Sequence, residues 1–151
     1  MRRYFFFCLI ILCSFSGDPF INPTGTYKLE YPKNKPAGTK FSYTGEIQIK
    51  LLTDSKIAMI FWVCKGPPSY NSGSFSDTLE YQDNKAIYTD PESDSTCRIT
   101  FTVSGKRLSV AEQTDDINSG CGFGHAVVAD GLIFKKISSK VPEMKEEGIV
   151  K

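Results

Sequence analysis

Along several short stretches of this chain apolar and polar residues change places one by one, and that period of two constrains the fold more than any other feature. From Gly45 onward, Ile47, Ile49 and Leu51 fall on one side, while Glu46, Gln48 and Lys50 fall on the other. Successive side chains of an extended strand point to opposite faces, so this is a strand with one face buried. The phase returns in Cys97, Ile99, Phe101 and Val103 against Arg98, Thr100, Thr102 and Ser104. It recurs in Tyr27, Leu29 and Tyr31, in Phe75, Leu79 and Tyr81, and in Leu108 and Val110. The run from Ile57 to Cys64 is apolar on both faces, and shorter runs cover Ala86 to Thr89 and Gly131 to Ile137. Turn signals stand between runs at Asp54-Ser55, Asp83-Asn84 and Ser104-Gly105. No stretch repeats apolar residues at helical spacing with caps.

About eight short strands joined by tight turns predict an all-β domain, an antiparallel meander that forms either a small barrel or a sandwich. The barrel is preferred because closure removes the edges that a small sheet otherwise presents. Pro32 and Pro36 take ladder donors out of Tyr31 to Gly38, which is therefore a surface loop. With 151 residues, 40% of them hydrophobic, one domain buries a sizeable core. That domain is placed at 17–137. The polar stretch 138–151, with Ser138, Ser139, Lys140, Pro142 and Glu143, reads as a flexible tail. Eighteen Lys and Arg against 17 Asp and Glu give no basic field for nucleic acid.

Residues 1–16 read as a signal peptide. Arg2 and Arg3 precede an uncharged run from Tyr4 to Phe15, and Gly17, Asp18 and Pro19 end it. The run is shorter than the roughly 20 residues that cross a bilayer as a helix, so no membrane span is assigned. Ser14 and Ser16 occupy the small-residue positions of a cleavage site, which places the cut after Ser16 and the protein in the periplasm or outside the cell. A lipid anchor at Cys13 is the weaker alternative, since a lipobox wants a small residue where Leu12 sits. Export leaves Cys64, Cys97 and Cys121 where a disulfide persists. Cys97 and Cys121 flank one predicted hairpin, and joining them is worth about 3 kcal/mol in the chain-entropy model. Cys64 is then a free thiol whose role is packing.

Chemistry-bearing residues are few. His125 is the only histidine and the only base available to a Cys or Ser nucleophile; Cys121 lies four residues before it but is assigned to the disulfide. No catalytic residue, cofactor or metal site is assigned. Thr114 to Gly120 spaces oxygens as some calcium loops do but lacks the distal glutamate, so it reads as a turn. Asp77 is in phase with Phe75 and Leu79, which turns it inward and demands a bulge or a cationic partner. One inward acid is too few for a glycosidase. The stretch from Lys65 to Ser74 combines a Pro67-Pro68 corner with small polar residues and one tyrosine, a composition suited to recognition loops. Ser69, Tyr70, Asn71 and Ser72 are its candidate partner-binding residues. Three glycines around Cys121 predict tight positive-φ backbone, with Phe123 plugging a barrel end.

The block Cys121-Gly122-Phe123-Gly124, Asp130-Gly131 and Phe134-Lys135-Lys136, preceded by Cys97-Arg98-Ile99-Thr100-Phe101, resembles the C-terminal sheet of small exported bacterial proteins related to lysozyme inhibitors. In that group a Cys-Gly near the end pairs with an earlier cysteine. The resemblance implies a non-enzymatic protein whose partner is a lysozyme-type hydrolase. Ser72-Gly73 is the only literal overlap with the group's inhibitory loop. The alternative function is a small-ligand carrier, which requires a hollow barrel.

Overall fold

The computed structural model describes residues 18–30, 43–116, 120–124 and 127–144. The leader with Cys13 and Ser16, the Tyr31 to Gly38 loop, His125 and the tail beyond Met144 lie outside the described residues. Eight strands are present: β1 Gly25–Leu29, β2 Thr44–Thr53, β3 Lys56–Cys64, β4 Ser72–Gln82, β5 Lys85–Asp90, β6 Asp94–Ser104, β7 Arg107–Gln113 and β8 Ile133–Ser138. Each pairs antiparallel with the next, and β8 returns to β1 to close a barrel. The expected all-β barrel of about eight strands is the fold. Among the described residues the one helical element is a three-residue 3-10 turn, Gly120–Gly122.

The period of two sets which side chains enter the barrel. Ile47 and Ile49 of β2, Ile57, Met59, Phe61 and Val63 of β3, and Ile99, Phe101 and Val103 of β6 are all buried. Phe61 stands at the centre, with ring centroids of Phe75, Phe101, Phe123 and Phe134 at 5.4, 5.5, 5.8 and 6.2 Å. Offset and edge-on aromatic pairs at such separations add about 0.5–1.5 kcal/mol each beyond area burial. The middle of the barrel is filled by this cluster.

One barrel end is closed by the chain before β1. Asn84 and Asp83 form the two-residue β4–β5 turn, both with positive φ (59° and 51°), as a hairpin turn with the right twist requires. Asn84 is also buried and turns back to the leading segment: its Nδ2 donates to the Pro19 carbonyl (3.0 Å), and its Oδ1 accepts the Ile21 amide (2.8 Å). Tyr81 donates to the Ile21 carbonyl (2.8 Å) and Tyr27 to that of Pro23 (2.6 Å). Burial pushes the Tyr81 phenol up to about 12. Lys136 Nζ donates to the Asn22 and Thr24 carbonyls, and desolvation lowers its pKa. This strap satisfies backbone groups that would otherwise be lost to a covered barrel mouth.

The ladder is incomplete at one seam. Strands β3 and β4 pair at nine positions, whereas β4 and β5 pair only at Tyr81–Ala86 and Gln82–Lys85. Beyond those pairs the strands part, and the rings of Phe75 and Tyr88 stack face to face at 3.8 Å. At that point the stacked rings bridge the gap that backbone hydrogen bonds leave.

Candidate functional site

The loop from Lys65 to Asn71 stands at the other barrel end. Val63 pairs with Gly73 and Cys64 with Ser72, so the loop is shorter than composition suggested: Ser72 to Ser74 belong to β4. The Lys65 amide donates to the Asn71 carbonyl (2.8 Å) and closes the neck. The Tyr70 amide donates to the Gly66 carbonyl (2.9 Å), and the Cys64 thiol donates to the Tyr70 carbonyl (3.6 Å). Gly66 takes φ 75°, Tyr70 φ 52°, and the Pro67-Pro68 bond is cis. Positive φ is uncommon for a residue with a Cβ, and here two hydrogen bonds at Tyr70 hold it. The consequence is an aromatic ring turned to solvent, with Tyr70 65% exposed.

Of the four predicted contact residues, Ser69 and Tyr70 form the exposed crown, Asn71 sits at the half-buried neck, and Ser72 opens β4 with its side chain outward. They share one rim of the barrel. Cys64 is free and half-buried. Its position facing away from the core gives its thiol the hydrogen bond under Tyr70 instead of the core packing expected.

A second element braces the loop from beneath. Cys97 and Cys121 form the expected disulfide, which ties the 3-10 turn to β6. Cys121 and Gly122 adopt φ 58° and 68°, and a Cβ at Gly122 would meet Asp90 Oδ2 at 3.0 Å. That backbone aims Phe123 into the barrel mouth, where it is buried against Phe61 and Gly73. Phe123 plugs the end, as expected. The next amide, Gly124, donates to the Ser72 carbonyl (3.1 Å) and joins the plug to the base of the loop.

Asp94 organises this end and was not singled out by sequence. Its Oδ2 accepts the Thr114 hydroxyl (2.6 Å) and the Cys121 amide (3.3 Å), and its Oδ1 accepts the Thr96 amide (2.9 Å) and hydroxyl (2.6 Å). These donors, the Thr114 hydroxyl first, hold its carboxyl well below the usual carboxylate range. The Asp-x-Thr spacing at Asp94 and Thr96 was the available signal, since such pairs commonly make local side-chain turns. Nearby, an open cleft of about 690 Å³ is lined by Thr96, Glu112, Thr114, Val127 and Val128 among others. Glu112 accepts the Ala129 amide, and burial pushes its carboxyl up. Among the described residues no three His, Cys, Asp or Glu side chains converge as a metal ligand set, and no helix is long and apolar enough to cross a membrane.

Asp77 lies at the seam between β4 and β5. It is opposite Met59 in unbroken register, yet exposed, and its Oδ1 accepts the Thr78 amide (2.6 Å). Neither a bulge nor, among the described residues, an ion pair accounts for it. The parted strands admit water to the carboxylate. Tyr88 across the seam is pushed up to about 12, by burial first and then by Asp90 and Asp77.

No known protein family, curated protein or solved structure matches the chain.

Proposed function

We propose that the protein is an exported, non-enzymatic binding protein of the periplasm or cell exterior, and that it docks on a protein partner through Ser69, Tyr70, Asn71 and Ser72. A lysozyme-type cell-wall hydrolase is the partner class, with the loop inserted in the cleft that holds the glycan. The observation that carries the reading is Tyr70, an aromatic side chain held in solvent at φ 52° by bonds to Gly66 and Cys64. A loop already ordered before binding loses little entropy on docking, and exposed tyrosines are frequent energetic anchors of interfaces. The Cys97–Cys121 bridge supports an oxidising compartment. The carrier alternative needs a hollow, and the Phe61 cluster occupies the middle of the barrel.

The test is peptidoglycan hydrolysis by a panel of lysozyme types with and without the purified mature protein. Inhibition of at least one type is expected, with Tyr70→Ala and Ser72→Ala weakening it at least about tenfold, the loss of one interfacial anchor. No inhibition across the panel removes the hydrolase as partner. Variants as potent as wild type remove the loop as the contact.

A further inference from the structure

The outer wall of β1, β2 and β3 carries a second surface of different chemistry. Trp62, the only tryptophan of the chain, occupies an outward position of β3, the side of the sheet usually left to polar residues. Register places Glu46 beside Trp62, and Gln48 beside Ile60. Thr26 continues the second row on β1. The tail does not leave the barrel directly after β8: Pro142 and Glu143 return to this wall and, with Trp62, Ile60, Glu46 and Gln48, line an open cleft of about 390 Å³. The size falls at the lower end of small-molecule sites, roughly 300–1,000 Å³.

The polar groups in this cleft are held in place. Gln48 Nε2 donates to Glu46 Oε1 (3.0 Å), and Lys28 Nζ lies 3.9 Å from Glu46 Oε2. An acceptor and an amide thus stand side by side on one strand, next to an indole ring and the aliphatic Ile60 side chain. A pyranose has the matching amphipathic form, a face of C–H groups and an edge of adjacent hydroxyls that donate and accept together. Among the described residues the lining holds two carboxylates, Glu46 and Glu143, and no Lys or Arg side chain, and the flanking Lys28 is engaged with Glu46. That balance disfavours phosphate, sulfate and uronic acids. The cleft is open to solvent, so a sugar stacked on the ring need not be enclosed.

We infer that the Trp62 cleft is a binding site for an uncharged oligosaccharide, with the sugar face stacked on the indole and its hydroxyl edge on Glu46 and Gln48. A β-1,4-linked chain fits best, because equatorial linkages leave its C–H face flat. The site lies on the barrel wall and does not depend on the loop reading.

Because Trp62 is the only tryptophan, intrinsic fluorescence of the mature protein reports this site alone. The probes are tetra-N-acetylchitotetraose and cellotetraose, with the β-1,4-linked tetramer of glucuronic acid as the anionic counterpart. A saturable change in emission is expected with at least one neutral tetrasaccharide below about 1 mM, and at least about tenfold weaker binding of the acid. Glu46→Ala and Gln48→Ala, both keeping the reporter, each weaken binding about tenfold, the size of a lost hydrogen bond to a bound ligand. Their melting temperatures serve to separate this loss from unfolding. Trp62→Phe, followed by calorimetric titration, weakens binding while retaining a ring. No emission change and no binding heat with either neutral probe up to about 10 mM overturns the inference. So does binding that is indifferent to all three substitutions, or a preference for the acid. Loss of lysozyme inhibition in the loop variants leaves this titration unchanged, so the two readings fail separately.

Discussion

Substituting Gly73 by alanine tests whether Phe123 is the plug that holds the loop end together. A Cβ at residue 73 would lie 2.4 Å from Phe123 Cγ and 2.7 and 2.8 Å from its two Cδ atoms. Carbon atoms pack at about 3.5–4 Å, so the ring must retreat by about 1 Å. Phe61 packs against the same ring, with centroids 5.8 Å apart, and leaves it little free space for that retreat. The displaced ring therefore carries the 3-10 turn outward, and Gly73→Ala costs about 1–3 kcal/mol as overpacking. Phe123→Ala costs about 3–5 kcal/mol, from lost burial and the cavity left behind. In the double variant the new methyl enters the space the ring vacated, and the cost of Gly73→Ala disappears or reverses. The cycle is read by urea denaturation of oxidised protein, with m-values compared to confirm that each variant unfolds as one unit. A coupling of about 1–3 kcal/mol is expected from direct contact. If Gly73→Ala costs the same with and without the ring, the contact does not carry the destabilisation and the plug reasoning is wrong.

Replacing Cys97 and Cys121 together by serine lowers stability by about 3–4 kcal/mol, the closure entropy of a 24-residue separation; a loss under about 1 kcal/mol in urea unfolding contradicts this. Asn84→Gly keeps the positive-φ turn but removes both bonds to Pro19 and Ile21, costing about 1–3 kcal/mol; equal stability to wild type in thermal melts means the leading strap is not held by this side chain. Asp94 has a folded-state pKa below its unfolded value, so its contribution is present above about pH 4 and fades as pH falls toward the folded value. The melting-temperature gap between wild type and Asp94→Asn therefore shrinks as acid is added below about pH 4, whereas a constant gap from neutral to acid rejects Asp94 as the titrating hub.

Strands were legible because each carries its own record of burial. In β2 and β6 the alternation of Ile47, Ile49, Ile99 and Phe101 with polar partners is a local consequence of one covered face. The turn at Asp83-Asn84 was legible because only a few residues take positive φ at both central positions. The disulfide followed from where the cysteines fall around one hairpin. Asp94 was not legible as a hub, because its four donors come from Thr96, Thr114 and Cys121, and two of these are distant in sequence. The second task of Asn84 was hidden for the same reason: its partners lie more than sixty residues away. In the sequence Trp62 is one member of an apolar run; only register against β2 and the returning tail place it beside Glu46, Gln48 and Pro142.

Asp77 shows how a correct local rule leads to an incomplete expectation. Its phase is inward, as the alternation requires, and the pairing with Met59 preserves that phase. The missing premise was the continuity of the wall, since period two assigns a side but not whether that side is dry. β4 has no ladder partner along Ser72 to Glu80 on its β5 side, so water reaches the carboxylate and no buried cation is needed. The same acid answers a second problem. An unpaired strand edge invites another strand, and inward-pointing charges are one way proteins blunt it. Asp77 also occupies the Thr78 amide that an incoming strand would use. Asp77→Val should therefore leave the barrel folded, but turn the seam into a pairing edge, with concentration-dependent association in sedimentation velocity. Asp77→Asn keeps an acceptor for Thr78 without the charge, so its association should be intermediate. A strictly monomeric Asp77→Val protein would show that the Phe75–Tyr88 stack alone guards the gap.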